Sequence, residues 1–330
     1  MQPLISVCDI KKRFNLEAGF FSALGRYVYA VNGLSFSINE NESYGLAGES
    51  GCGKTTTARL LVRMYQYDSG TIKYRDLDIG SFNKKELASY RQKVKYVFQD
   101  PARSLNPRMN IYNVLVSGLR WSGALNSKKQ ENNNDNKQLR EKAAKILEEV
   151  GLSAKDLERR PADFSGGQRQ RISIARGLLM EPELLICDEV VSALDVSIQA
   201  QILNLLMELR RTRKLSFLFI AHDLTVASWF CDTIGVMYRG FLVEEAPAAD
   251  LFRSAAHPYT KLLFASVHKN NQSVNTVSAP KGEIRSVLEE INACAFADRC
   301  PQAEERCFRE KPELKETIPG RRLRCFLDPD

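Results

Sequence analysis

Residues 48–55 read GESGCGKT, and this run constrains the fold more than any other part of the 330-residue chain. It matches G-x-x-x-x-G-K-[ST] and lies between the strand-like Ser43 to Ala47 and the helical Thr56 to Met64, the setting in which such a loop cradles phosphate. Gly48, Gly51 and Gly53 lack Cβ atoms, so the backbone can turn successive N–H groups inward as an anion nest. The helix N-terminus adds its positive end. Glu49, Ser50 and Cys52 fill the variable positions, and a thiol placed like that of Cys52 can have its pKa lowered by the helix. Lys54 is expected to reach the β- and γ-phosphates, Thr55 to offer a hydroxyl to Mg²⁺, and Thr56 to complete the binding set.

Two further apolar runs end in polar groups. LLICDE, Leu184 to Glu189, is a strand closing on two carboxylates where a parallel sheet presents its C-terminal edge to ligands. Asp188 suits Mg²⁺ and Glu189 suits polarisation of an attacking water. LSFLFIAH ends in His222, which can donate to a γ-phosphate or orient the water, or be an ordinary strand-end residue. The helical pattern of Val196 to Arg213 separates these strands, so the centre reads as a parallel α/β fold. Short β-like runs at Leu4 to Val7, Val28 to Val31 and Leu34 to Ile38 predict a small N-terminal antiparallel sheet.

Residues from about Leu105 to Leu157 read as helical, interrupted by the Asn-rich Asn126 to Gln138, taken as a flexible surface insertion because it has nothing apolar to bury. After His268 a polar linker leads to a cysteine-bearing tail beyond Lys281. The longest apolar runs fall far short of the roughly 18 residues that cross a bilayer. Asp9, Lys11, Lys12 and Arg13 precede any h-region, so no secretory signal is expected and the cytoplasm is inferred. A net charge of +7 is compatible with phosphate ligands, an anionic membrane or solubility, and decides nothing alone.

FSGGQRQR places a second glycine-rich nest, Ser165, Gly166, Gly167 and Gln168, before another helical run. Following a phosphate loop and preceding LLICDE, it makes the chain resemble ATP-binding cassette (ABC) ATPases over roughly residues 1–268. The resemblance implies a P-loop α/β fold with an N-terminal antiparallel β subdomain, a helical subdomain over about 105–163, and the region 269–330 as linker and C-terminal extension. It further implies a head-to-tail dimer with ATP between the phosphate loop of one subunit and the SGGQ of the other. Gln99 in VFQDP matches the glutamine that senses Mg²⁺ and connects to a transmembrane partner, and SALD, Ser192 to Asp195, matches the loop across the dimer interface. Phe14 is the leading candidate to stack on adenine, but the insertion NLEAGFFSALGRY leaves Tyr27 and Tyr29 as rivals.

VFQDPARSLNPRM, DFSGGQRQRISIARGLL, VMYRGFLVEEAP and HPYTKLLFAS together resemble the ATPases of dipeptide, oligopeptide and nickel importers, and RYVYAV after GFFSALGR is most like the F subunit of the peptide permeases. That likeness implies a related second ATPase, favouring a heterodimer, two permease subunits, an extracytoplasmic solute-binding protein, and a peripheral place on the cytoplasmic face of the inner membrane. A soluble cassette ATPase acting on nucleic acid or ribosomes is the alternative, opposed by the single cassette and the lack of a long coiled-coil pattern. A subunit that binds ATP without turnover is opposed by the presence of Lys54, Asp188, Glu189, Gln168 and His222 together.

The tail ACAFADRCPQAEERC, with PGRRLRC after it, resembles the C-terminal extension of the same importers. Cys294, Cys300, Cys307 and Cys325 crowd one segment of a chain expected in a reducing compartment, which points to metal rather than disulfides. Their spacing, C-x5-C-x6-C-x17-C, lacks the short knuckles of structural zinc sites. With few large apolar residues in the tail, a metal would supply folding free energy. The expectation is an iron-sulfur cluster, [4Fe-4S], with a structural or regulatory role; zinc and four unligated thiols remain the alternatives.

Overall fold

The computed structural model describes residues 2–16, 27–121, 133–268 and 287–327. Two compact units emerge, Met1–Ser81 with Leu218–Asp330, and Phe82–Phe217. The first opens with β1 (Ile5–Asn15), β2 (Tyr27–Ile38), β3 (Ser43–Ala47), α1 (Lys54–Leu61), β4 (Ser69–Tyr74) and β5 (Leu77–Asp78). The second carries α2 (Lys84–Lys93), β6 (Val94–Val97), α3 (Pro101–Ser104), α4 (Ile111–Trp121), α5 (Asn133–Glu149), α6 (Gly166–Leu178), β7 (Leu184–Asp188) and α7 (Val196–Arg213). β8 (Ser216–Ala221) returns the chain to the first unit. There follow α8 (Leu224–Phe230), β9 (Thr233–Tyr238), β10 (Phe241–Pro247), α9 (Ala248–Arg253), α10 (Pro258–His268), β11 (Lys315–Ile318) and β12 (Arg321–Leu323).

In the first unit an antiparallel sheet runs β2-β1-β4-β5, as the alternating N-terminal pattern predicts. The two short runs expected at Val28 to Val31 and Leu34 to Ile38 are one strand, because Gly33 (φ 82°) and Asp9 (φ 46°) absorb an irregularity in the ladder without ending it. A second sheet places β3 parallel to β9, β10 antiparallel to β9, and β12 then β11 beyond β10. All five residues of β3 are buried, as expected of a strand covered on both faces.

The second unit pairs β6 and β7 in parallel from Val94↔Leu184 to Val97↔Cys187. Its helices bury residues at helical spacing: Ile202, Leu205, Leu206 and Leu209 on α7, and Ala143, Ile146, Leu147 and Val150 on and just after α5. Each large aliphatic side chain so covered contributes about 1.5–3 kcal/mol of transfer free energy. The reading of Asn126 to Gln138 as a flexible insertion is corrected: Asn133 to Gln138 are the opening turns of α5. Polar residues are tolerated there because the apolar stripe that docks the helix begins only after them. Residues 126–132, the linker after His268 as far as residue 286, and most of the insertion after Phe14 lie outside the described residues.

Candidate functional site

The phosphate loop joins β3 to α1 within the first unit, and its shape follows from its glycines. Gly48 (φ 148°) and Gly53 (φ 108°) hold backbone conformations that side chains rarely adopt. A Cβ at Gly48 would collide with the Met237 carbonyl, and one at Gly53 with the Ala30 carbonyl. The cradle therefore exists only where side chains are missing, which is what a backbone anion nest needs. Lys54 is buried, and its ammonium donates to the carbonyl oxygens of Gly48 (2.7 Å) and Glu49 (3.0 Å). Ser50 is exposed, while Thr55 and Thr56 are half-buried in the first turn of α1. Cys52 is fully buried, and burial pushes its thiol up despite Lys54 beside it, so desolvation outweighs the lowering that a helix N-terminus can give.

Glu49 is committed at both ends. Its N–H donates to the Tyr259 hydroxyl (2.9 Å), and its carboxylate takes two hydrogen bonds from Arg299, at 2.8 and 3.0 Å. That bond to Glu49 is the main cause of a raised Arg299 pKa. His222 stands exposed just past β8. Of the aromatic candidates, Phe14 lies edge-on to Tyr65 (centroids 5.2 Å apart), and Tyr27 lies under the Arg13 guanidinium at 4.4 Å. Tyr29 lines a cavity of about 250 Å³ together with Lys11, Arg13 and Lys311.

In the second unit β7 delivers Asp188 to its end, buried, where the Tyr96 hydroxyl donates to its carboxylate. Glu189 follows with φ 49°, a left-handed conformation fixed by its carbonyl, which accepts from the Ser192 N–H (3.1 Å) and hydroxyl (2.9 Å). Gln99 donates from Nε2 to the Glu189 carboxylate at 2.7 Å. Gln99 and Glu189, remote in sequence, are thus brought together.

SGGQ proves to be a capping box. The Ser165 hydroxyl accepts from the Gln168 N–H (3.3 Å), the Gln168 side chain accepts from the Ser165 N–H (2.9 Å), and α6 starts between them. Gly166 and Gly167 occupy its first positions, and a Cβ on Gly167 would press into Ile198. Reading S-x-x-Q as this signature would have revealed the cap from sequence.

Residues 31–192 match the model of the ABC transporter family, and residues 243–307 that of the oligopeptide/dipeptide transporter C-terminal region. The oligopeptide transport ATP-binding protein AppF of Bacillus subtilis is 39% identical over 330 residues, covering 99% of this chain and 98% of its own. YkfD of the same organism, assigned to oligopeptide transport, is 40% identical over 328 residues, covering 98% of this chain and 95% of its own. The chain belongs to the oligopeptide-type ABC transporter ATP-binding proteins. Its fold agrees: cbiO1 of Clostridium perfringens superposes with a TM-score of 0.64 over 82% of this chain and 96% of that one, at 22% identity. The MJ0796 cassette dimer bound to ADP and Pi gives 0.62 over 74% and 98%, also at 22%. As an ABC-type protein the chain is an ATPase, and the α/β P-loop fold expected from its motifs is the one observed.

The iron-sulfur expectation is corrected. Among the described residues no three His, Cys, Asp or Glu side chains form a group able to hold a metal, and Cys294, Cys300, Cys307 and Cys325 are free thiols. Burial pushes the Cys294 thiol up to about 11 and raises Cys300 and Cys325. The premise that the tail has too little apolar surface to pack is corrected as well. β12 extends the sheet at β10, Arg322 pairs with Glu245 through two hydrogen bonds (2.8 and 2.7 Å), and Phe296 is buried 5.2 Å from Tyr238 and 5.4 Å from Tyr259. The tail of this ABC protein borrows the core of the unit it joins.

His257 lies in that core, where burial pushes its pKa down to about 3. Unfolded, the imidazole titrates near 6.5, so from about 6.5 down to 3 the unfolded chain binds the extra proton. Its contribution is whole above about 6.5 and is lost as pH falls. Going from pH 7 to 5 should cost the first unit about 2 kcal/mol. Urea unfolding at both pH values measures this, and the pH dependence should flatten in His257→Gln; an unchanged slope in that variant would refute the assignment.

Proposed function

We propose that this chain binds MgATP on residues 48–55 and hydrolyses it to energise import of peptides or a related solute. The observation that carries the reading is the glycine-only cradle around Lys54. Lys54 and the loop N–H groups hold the triphosphate, with Gly48 and Gly53 allowing its close approach. Thr55, Asp188 and Gln99 supply oxygen donors suited to Mg²⁺, which when bound neutralises charge on the β and γ oxygens. Glu189 activates the attacking water, and His222 orients it or donates to the γ-phosphate. Ser165 to Gln168, capping α6, serve the nucleotide of a second ATPase subunit, and Ser192 to Asp195 face the same partner.

Domain organisation follows the same reading: a cassette over 1–268, with its helical subdomain at about 105–163 contacting permease subunits, and an extension over 269–330. The oligopeptide-transport names of AppF and YkfD support membrane permease subunits as partners; a related ATPase giving a heterodimer, a second permease and a solute-binding protein complete the proposed assembly. Among the described residues no helix is long and apolar enough to cross a membrane. The proposed place of the chain is peripheral, on permease subunits at the cytoplasmic face of the membrane.

Equilibrium titration of the full chain with MgATP tests the reading. Lys54→Ala should weaken binding by about 10²-fold, the effect of removing a charged hydrogen-bonding partner of the phosphates. Wild-type affinity in that variant would overturn the assignment of the loop.

A further inference from the structure

Glu49 presents a problem of charge. The proposed site must accept a polyanion, yet a carboxylate stands second in its phosphate loop. A unit negative charge several ångströms from a bound triphosphate opposes binding strongly wherever the surroundings are partly desolvated. The structure answers with Arg299, 250 positions away, whose guanidinium grips both oxygens of Glu49. The two side chains are only 12% and 29% exposed, so solvent screens the pair weakly.

The grip is anchored at its base. Arg299 ends a short turn, Ala297–Arg299, that starts on Phe296, and its N–H donates to the Phe296 carbonyl at 3.0 Å. The Phe296 ring is buried among Tyr238, Tyr259 and His257. Nη1 of Arg299 also donates to the Tyr238 hydroxyl (3.3 Å), and the guanidinium lies 5.6 Å from that ring. Tyr259 holds the Glu49 N–H, and the Glu49 carbonyl in turn accepts from Lys54. A continuous set of contacts therefore runs from the C-terminal segment through Glu49 to the lysine of the loop.

We infer that Arg299 is a positioning residue for the phosphate loop: it neutralises the Glu49 carboxylate and fixes it in place, so that the C-terminal segment sets the affinity of the loop for MgATP. The inference rests on the reading of residues 48–55 as the triphosphate site. It gives the extension a role in the ATPase cycle that needs no metal.

The test is MgATP titration of the full chain, with KM and kcat measured in the assembled transporter. Arg299→Gln should raise Kd and KM by about 10- to 100-fold while kcat moves less, because an unpaired carboxylate then faces the phosphates. Glu49→Gln combined with Arg299→Gln should recover most of the lost affinity, since the repelling charge is gone. If Arg299 merely held the fold, the double variant would bind no better than Arg299→Gln, and that result would overturn the inference. Wild-type affinity in Arg299→Gln would overturn it too. Should Arg299→Gln alone misfold, the charge-swapped pair Glu49→Arg with Arg299→Glu gives the second measurement: near-normal affinity supports electrostatic pairing, and affinity lost in a folded protein refutes it. Lys54→Ala run alongside separates the two claims, because undiminished binding there defeats the site itself, whereas weakened binding there with normal Arg299→Gln defeats only the role of Arg299.

Discussion

Glu189→Gln should lower ATP turnover by about 10²- to 10⁴-fold and leave nucleotide binding in place, the loss typical of a deleted general base. The substitution is close to isosteric. Its backbone is held in a left-handed conformation at φ 49° by two hydrogen bonds from Ser192 to its carbonyl, so the side chain leaves the strand end in a fixed direction whichever residue is there. A glutamine can still accept from Gln99 Nε2 through its amide oxygen, as the carboxylate does at 2.7 Å. What disappears is the capacity to take a proton from water. Phosphate release in the assembled transporter, beside equilibrium MgATP binding to the same preparation, separates the two quantities. Wild-type turnover in Glu189→Gln would remove the residue from the mechanism.

Gly53→Ala should abolish high-affinity MgATP binding and destabilise the first unit by about 2–3 kcal/mol, from backbone strain combined with a steric collision. Gly53 has φ 108°, and an added Cβ would run into the Ala30 carbonyl, a backbone group in β2 with no rotamer to escape into. Gly51 provides the contrast. Its φ is 80°, but nothing lies within 4 Å of an added Cβ, so Gly51→Ala bears only torsional strain of about 1–2 kcal/mol. Denaturant midpoints and MgATP affinities for the two variants should therefore differ. Equal effects would show that the packing of the loop against β2 does not shape the nest.

The groups legible in the sequence share one property: the chemistry of each is set within a few adjacent residues. GESGCGKT carries its own glycines and its own helix start, LLICDE its own strand end, and SGGQ its own helix start, so local torsions suffice to form them. Where the sequence reading failed, the deciding contact was distant. The opening of α5 looked like a loop because its polar residues precede the apolar stripe that docks the helix. The cysteine tail looked too polar to fold unaided because the apolar surface it packs on, Tyr238 and Tyr259, belongs to other elements. For Cys52 the helix that can lower its pKa is visible in the sequence, while the burial that raises it is not.

By itself, the amino-acid sequence determined the class of the fold, the phosphate loop and the order of the motifs that define an ABC-type ATPase. Only the tertiary structure decided which side chains those motifs meet: Gln99 with Glu189, Tyr96 with Asp188, and Arg299 with Glu49 across 250 positions. A nest of backbone N–H groups needs glycines at fixed offsets, and a sequence displays offsets directly. An ion pair between remote residues depends on how sheets and turns bring two surfaces together, and many arginines in this chain could satisfy Glu49 equally well until packing selects one.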